Sequence, residues 1–236
     1  MLRKSEVEQF EKGQIAAMPL FKDLTPQQME RVHQLLHHKT IETGSILIEK
    51  NQPGEEAYIV LSGSIKVCAK GADHSQVVVG VLGRGEVVGE MSLIDGLGRS
   101  ATLIAQEQTS LLWINRQEFW EELWEMPAIA YNLTLLLSRR IRLLTAQVQV
   151  FTTANIKCRI AHQLLTYARE YGQKQQQDTS ISIPFPLTQG DLANMIGASR
   201  AQVTQAISYW KRRKYISYSS DHHITLHDVK ALERFC

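Results

Sequence analysis

TQGDLANMIGASRAQVTQAISYWK, residues 188–211, is the stretch that decides the fold. Thr188 has the residue type of an N-cap, and Asp191 stands in the reciprocal place of a weak capping box. Leu192 and Ile196 give the short helix that follows its buried face. Gly197 suits a turn, because glycine enters the left-handed region without a Cβ penalty. Ser199 is the next N-cap, and a second helix runs from Arg200 to about Arg212 with Val203, Ile207 and Trp210 at inward spacing. Arg200, Gln202, Thr204, Gln205 and Ser208 fall on its outer face. Two short helices crossing at a tight glycine turn predict a helix-turn-helix.

The exposed residues of the second helix are types that read base edges. Arginine pairs with guanine O6 and N7, and glutamine with adenine N6 and N7. Lys211-Arg212-Arg213-Lys214 follows, placed to touch phosphates. Tyr215–Tyr218 and Ile224–Leu226 flank Ser219–His223 and predict a β-hairpin wing. A polar second helix also occurs in other small helical domains; the wing and the basic tetrad tip the reading toward DNA. Thr188, Ser199, Arg200, Gln202, Gln205, Lys211 and Arg212 form the candidate DNA-contacting set.

Charge separates along the 236 residues. Residues 1–156 carry 15 Lys and Arg against 18 Asp and Glu, whereas residues 157–236 carry 11 against 6. An acidic front joined to a basic back points to two domains with different partners, the basic one suited to a polyanion. Three cysteines, Cys68, Cys158 and Cys236, are too scattered for a disulfide framework or a metal knuckle. No apolar run reaches the roughly 20 residues of a membrane span, and the N-terminal stretch has no continuous apolar core of a secretory signal. The expected setting is the reducing cytoplasm, with no membrane partner.

Working back from the basic end, Asn155 can cap a helix with apolar positions Ile156, Ile160, Leu164 and Leu165. Gly172–Ile183, rich in glutamine, reads as a polar loop. Leu133, Leu137, Arg140, Leu144, Val148 and Phe151 step by four and three, the seam of a helix pair. The same spacing also fits a long helix lying on its own domain's core. Short β-rich pieces occur at Ser45–Glu49, Glu56–Ser62, Ser64–Ala69, Gln76–Leu82, Ala101–Gln106 and Ser110–Asn115, with glycines between them. Ser62-Gly63 reads as a tight hairpin turn, and residues 17–38 read as helical, with Thr25-Pro26 at a helix start. The fold class is therefore α+β. An N-terminal antiparallel β-roll over residues 1–126 is expected, then a long helix and hinge over 127–154, then a winged helix-turn-helix over 155–236.

The roll contains GEMSLIDGLGRSAT, residues 89–102. Gly89 permits close backbone approach. A helix or turn starting near Met91 would aim amides at an anion. Arg99 can pair bidentately with a phosphate, and Glu90 can accept from sugar hydroxyls. Read alone, a carboxylate and an arginine this far apart can equally be a structural ion pair.

The pattern G-E-x-S-L-x-x-G-x-x-R-S-A-T resembles the phosphate-binding cassette of cyclic-nucleotide-binding β-rolls. Leu20–Leu24 and Gly63–Val67 resemble the same domain. Roll, long helix and winged helix-turn-helix together resemble the Crp/Fnr family of bacterial transcription regulators, over about residues 17–228. The resemblance implies a homodimer joined by the long helix, a double-stranded DNA operator with two-fold symmetry, and RNA polymerase as a further partner. It implies a cyclic nucleotide effector, cAMP ahead of cGMP, with Glu90 on the ribose hydroxyl, Arg99 and Ser100 on the phosphate, and backbone amides near Met91 and Ser92. Gly89 and Ala101 complete the cassette.

Aligning Arg139-Arg140 with the family's arginine pair assigns Leu144 and Thr145 to the base. Leu144 departs from the hydroxyl residue of the family's cAMP responders, which removes one purine contact and costs roughly 0.5–1.5 kcal/mol. Ala201 and Gln205 depart from base-reading residues of the family's cAMP responders and imply a different operator. A regulator that binds DNA constitutively, or answers another anion, is the alternative. A hydrolase or transferase using Glu90 and Arg99 is disfavoured, because no nucleophile–base pair, zinc motif or P-loop accompanies them. No iron–sulfur, metal or redox cofactor is expected. His33 and His37, four apart on a helix, are expected to be surface or packing residues.

Overall fold

The computed structural model describes residues 13–71, 76–175 and 179–236. The chain divides into two compact units. One holds the chain through Ile65 together with Leu82–Leu143; the other holds Lys66–Val81 together with Leu144–Cys236.

In the first unit, a 3-10 turn at Pro19–Phe21 precedes helix α1 (Pro26–Leu35), which Thr25 and Gln28 close with a reciprocal capping box. The expected helix through residue 38 stops early. His37–Ile41 is strand β1, paired antiparallel with β8 (Thr109–Asn115) from His37↔Trp113 to Ile41↔Thr109. Backbone pairing with a partner 70 positions away overrides the local helical spacing. His33 and His37 consequently share no helix.

Strand β3 (Glu56–Ser62) pairs with β8 on one side and with β6 (Val87–Val88) on the other, giving the sheet order β1-β8-β3-β6. Strand β2 (Ile46–Ile48) pairs antiparallel with β7 (Thr102–Ala105). Ser62-Gly63 is not the turn of a hairpin. β4 (Ile65–Lys70) leaves the sheet of β3 and is bonded instead to β5 (Gln76–Leu82). Gly63 makes this corner at φ +82°, where an added Cβ would lie 2.6 Å from the Gln108 carbonyl.

Helix α2 (Glu90–Asp95) follows β6, and both of its flanking glycines, Gly89 and Gly96, are left-handed. A helical turn at 116–123 widens over Phe119–Leu123 before Pro127 opens the 27-residue helix α3 (Pro127–Thr153). The core of this unit gathers Phe21, Val32, Ile59, Leu93, Leu112, Leu123, Ile129 and Leu133. Fully burying each such side chain contributes roughly 1.5–3 kcal/mol. Asn132 is buried on α3, and its amide donates to the Leu20 and Lys22 carbonyls at 3.0 and 2.7 Å, tying the helix to the N-terminal turn.

The expected seam divides along α3. Leu133 and Leu137 pack in the core of their own unit, whereas Leu144 and Val148 are exposed. Tyr131, Leu135 and Ile141 are exposed on the same helix.

The second unit contains α4 (Ile156–Tyr171), capped by Asn155 through the Cys158 amide at 3.0 Å. The polar loop expected at 172–183 instead forms two short strands, β9 (Gln173–Lys174) and β10 (Ile181–Ser182). They join the wing strands β11 (Ile216–Tyr218) and β12 (Ile224–Leu226) in the order β11-β12-β10-β9. Between them run α5 (Gln189–Ile196) and α6 (Arg200–Arg212), and α7 (Val229–Glu233) follows the wing.

Candidate functional site

Cassette residues 89–100 converge. Arg99 is 7% exposed, and its Nη1 donates to the Gly89 carbonyl at 2.9 Å. The Arg99 backbone is fixed from both sides. Its amide donates to the Gln52 carbonyl and its carbonyl accepts from the Asn51 amide, both at 2.9 Å. Gly54 and Gly89 leave room for the side chain: an added Cβ would lie 3.1 Å from Nε at Gly54 and 2.6 Å from Nη1 at Gly89. Gly89 sits at φ +81°, and the group lying close against its backbone is the Arg99 guanidinium.

Glu90 is 2% exposed. Its Oε1 accepts from Arg140 Nη1 at 2.8 Å, while Arg140 Nη2 reaches Glu86 Oε2 at 2.8 Å and the Val87 carbonyl at 2.9 Å. Burial pushes the Glu90 carboxyl above the ordinary carboxylate range, and the Arg140 charge opposes that push. Burial lowers the Arg99 guanidinium, against the opposing fields of Tyr58, Glu56, Glu55 and Glu90. Displaced groups of this kind, buried beside left-handed glycines, make the loop a candidate functional site.

Ser92 is buried, whereas Met91 and Ser100 are exposed, and Ala101 is half-buried. Leu144 and Thr145 are both exposed on α3, just past Leu143, where the first unit ends.

Sequence reasoning missed four neighbours of Arg99 and Glu90. Gly54 packs on Ser92 and Arg99, and Glu86 shares Arg140. The Tyr58 hydroxyl donates to Glu56, and both belong to the field around Arg99. The available signal was strand periodicity, which puts residues 56 and 58 on one face of β3.

In the second unit the recognition surface follows the expected pattern. Val203, Ile207 and Trp210 are buried, and Arg200, Gln202, Thr204, Gln205 and Ser208 are exposed. Ser199 and Gln202 form a capping box, with the Ser199 amide donating to Gln202 Oε1 at 3.0 Å. The Gln202 carbonyl oxygen is therefore engaged in holding the helix start. Thr188 Oγ1 accepts from the Asp191 amide at 3.0 Å. The Asp191 carboxylate, expected to return to that cap, goes instead to Lys66 Nζ at 2.7 Å. Lys211 Nζ donates to the Tyr218 carbonyl at 3.3 Å and steadies the wing, while Arg212 is exposed. Arg213 lies 5.4 Å from the Tyr209 ring centre. Among the described residues no cluster suited to a metal ion is found.

A cassette of this kind and a winged helix-turn-helix in one chain define a DNA-binding regulator of transcription that carries a cyclic nucleotide-binding domain. The chain belongs to the Crp/Fnr family, matching the cyclic nucleotide-binding domain over residues 38–124 and the Crp-like helix-turn-helix domain over residues 158–235. It is 27% identical to the cyclic AMP receptor protein of Thermus thermophilus over 80% of this chain and 83% of that one. In fold it is similar to FixK2 of Bradyrhizobium japonicum, with TM-score 0.73, 16% identity and coverage of 85% and 96% of the two chains. It is similar in fold also to the c-di-GMP-responsive global regulator CLP of Xanthomonas campestris, with TM-score 0.67, 24% identity and coverage of 86% and 99%.

Proposed function

We propose that this chain is a homodimeric regulator whose affinity for a two-fold DNA operator is set by a cyclic nucleotide, cAMP ahead of cGMP, held by the cassette. The observation that carries the reading is that one glycine-bounded loop buries both an arginine, Arg99, held to the Gly89 carbonyl, and a carboxylate, Glu90, held by Arg140. Arg99 and Ser100 take the cyclic phosphate with backbone amides near Met91 and Ser92, and Glu90 takes a ribose hydroxyl. From the family resemblance, Leu144 and Thr145 are assigned to the base, and Ala101 completes the cassette. The functional division is a roll over 1–126, a helix and hinge over 127–154 and a DNA-binding domain over 155–236.

Arg200 and Gln205 read bases, with Gln202 beside them at the start of α6. Thr188, Ser199, Lys211 and Arg212 contact phosphates. Half-sites lie about one helical turn apart, as in dimeric helix-turn-helix proteins. The exposed apolar side chains of α3, among them Tyr131, Ile141 and Val148, support a partner helix from a second copy. A DNA partner puts the protein in the cytoplasm, with RNA polymerase as a further partner and no chemistry of its own.

The experiment is calorimetric titration of nucleotide-stripped protein with cAMP, cGMP and cyclic di-GMP. Micromolar cAMP binding at one site per protomer, lost in Arg99→Ala, supports the reading. A second reading is favoured by the exposed apolar Leu144 and by the Glu56 carboxylate in the field of Arg99: the site takes another anion, or none. Heat from cyclic di-GMP alone, or from none of the three, selects it.

A further inference from the structure

Asp191 is paired away from its own helix cap. Asp191 is the third residue of α5, the helix that precedes the recognition helix α6. In α1 and α6 the side chain at this position returns to the cap residue's amide. In α5 it leaves the cap for Lys66 on β4, in an ion pair whose side chains are 22% and 10% exposed. The far end of α5 is also held, from the neighbouring strand. The Val81 amide on β5 donates to the Tyr167 hydroxyl at 2.9 Å, and that hydroxyl donates to Met195 Sδ at 3.3 Å. Tyr167 is buried on α4. Two neighbouring strands thus hold the first and last turns of one short helix, and Lys66–Val81 belongs to the same compact unit as the helix-turn-helix.

We infer that Lys66 is a positioning residue for DNA recognition: through Asp191 it fixes α5, and through α5 the aim of α6. The path from α5 to α6 is direct, because Gln189 at the start of α5 bonds the Thr204 hydroxyl on the outer face of α6.

The test uses the full chain, a duplex selected from a random library by the wild-type protein, and a random-sequence duplex of equal length. Lys66→Met and Asp191→Asn are each expected to lower affinity for the selected duplex about tenfold, and the double variant no further, as for two groups acting through one contact. Affinity for random DNA, set by cations along the surface, is expected to stay within about twofold. Lys66→Arg, which keeps the charge, is expected to retain discrimination. A structural role alone would lower the melting temperature and leave the ratio of the two affinities unchanged.

Amide exchange gives a readout independent of DNA: Val81 and the first turn of α5 are expected to lose protection together in Lys66→Met. The milder Asp191→Glu serves if Lys66→Met does not fold. An unchanged ratio in both single variants, additive losses in the double, or full protection at Val81 in Lys66→Met would overturn the inference.

Discussion

Arg140 holds Glu86, Glu90 and the Val87 carbonyl with one guanidinium, and Glu90 is almost wholly buried. Removing the cation leaves a carboxylate in a dry site, so Arg140→Met is expected to cost about 2–4 kcal/mol, discounted because the arginine itself is partly exposed. Adding Glu90→Gln to that variant is expected to recover most of the loss, since a neutral amide needs no cation. Urea unfolding of the three proteins checks both expectations. Gly89→Ala meets a left-handed φ and the Arg99 guanidinium together. It is expected to lose about 1–2 kcal/mol from the backbone alone and to weaken nucleotide binding as Arg99 moves, which calorimetry reads. Gly89, Glu90 and Arg99 were legible in the sequence because they share one short contiguous loop. Gly54, Glu56 and Tyr58 were not, because they reach Arg99 across some 40 residues of chain, and no local pattern reports such a contact.

At the scale of elements, the recognition helix was legible almost residue by residue. Its N-cap, its inward spacing and the glycine before it are all local signals. Ser199→Ala removes the cap and is expected to cost about 1 kcal/mol, with a parallel fall in DNA affinity measured by fluorescence anisotropy. Strands β1, β9 and β10 were not legible. His37–Ile41 is polar and mostly exposed, and it is a strand because β8 offers it a ladder of hydrogen bonds. Helix α4 carries a titration signature. Tyr167 is buried and its hydroxyl is pushed up from the ordinary 10.0 to about 12, chiefly by burial. Between those values the unfolded chain has released the phenolic proton and the folded chain retains it. The unfolded state then binds fewer protons, and stability falls as pH rises. Tyr167→Phe is expected to flatten that decline, read as urea midpoints below 10 and near 12.

For the whole molecule, the charge asymmetry and the cassette were enough to indicate a roll followed by a DNA-binding domain, because both are written in contiguous stretches. The seam on α3 was only half legible. Spacing reports which residues share a helix face and not which partner covers that face, so Leu133 is core whereas Val148 is exposed. For the proposed dimer, Ile141→Glu with Val148→Glu is expected to give monomers in sedimentation velocity and to reduce affinity for a two-fold operator far more than for random DNA. The placement of Lys66–Val81 with Leu144–Cys236 left no trace in the sequence at all, since ion pairs and buried tyrosines carry no periodicity. It makes the second unit discontinuous along the chain: Lys66 and Asp191 are 125 positions apart. On a ribosome adding about 5–20 residues per second, Lys66 emerges roughly 6–25 seconds before Asp191 exists. Vectorial synthesis therefore completes this unit last, after the segments that flank Lys66–Val81 in sequence, and a chain stalled before residue 191 presents Lys66 without the carboxylate it pairs with.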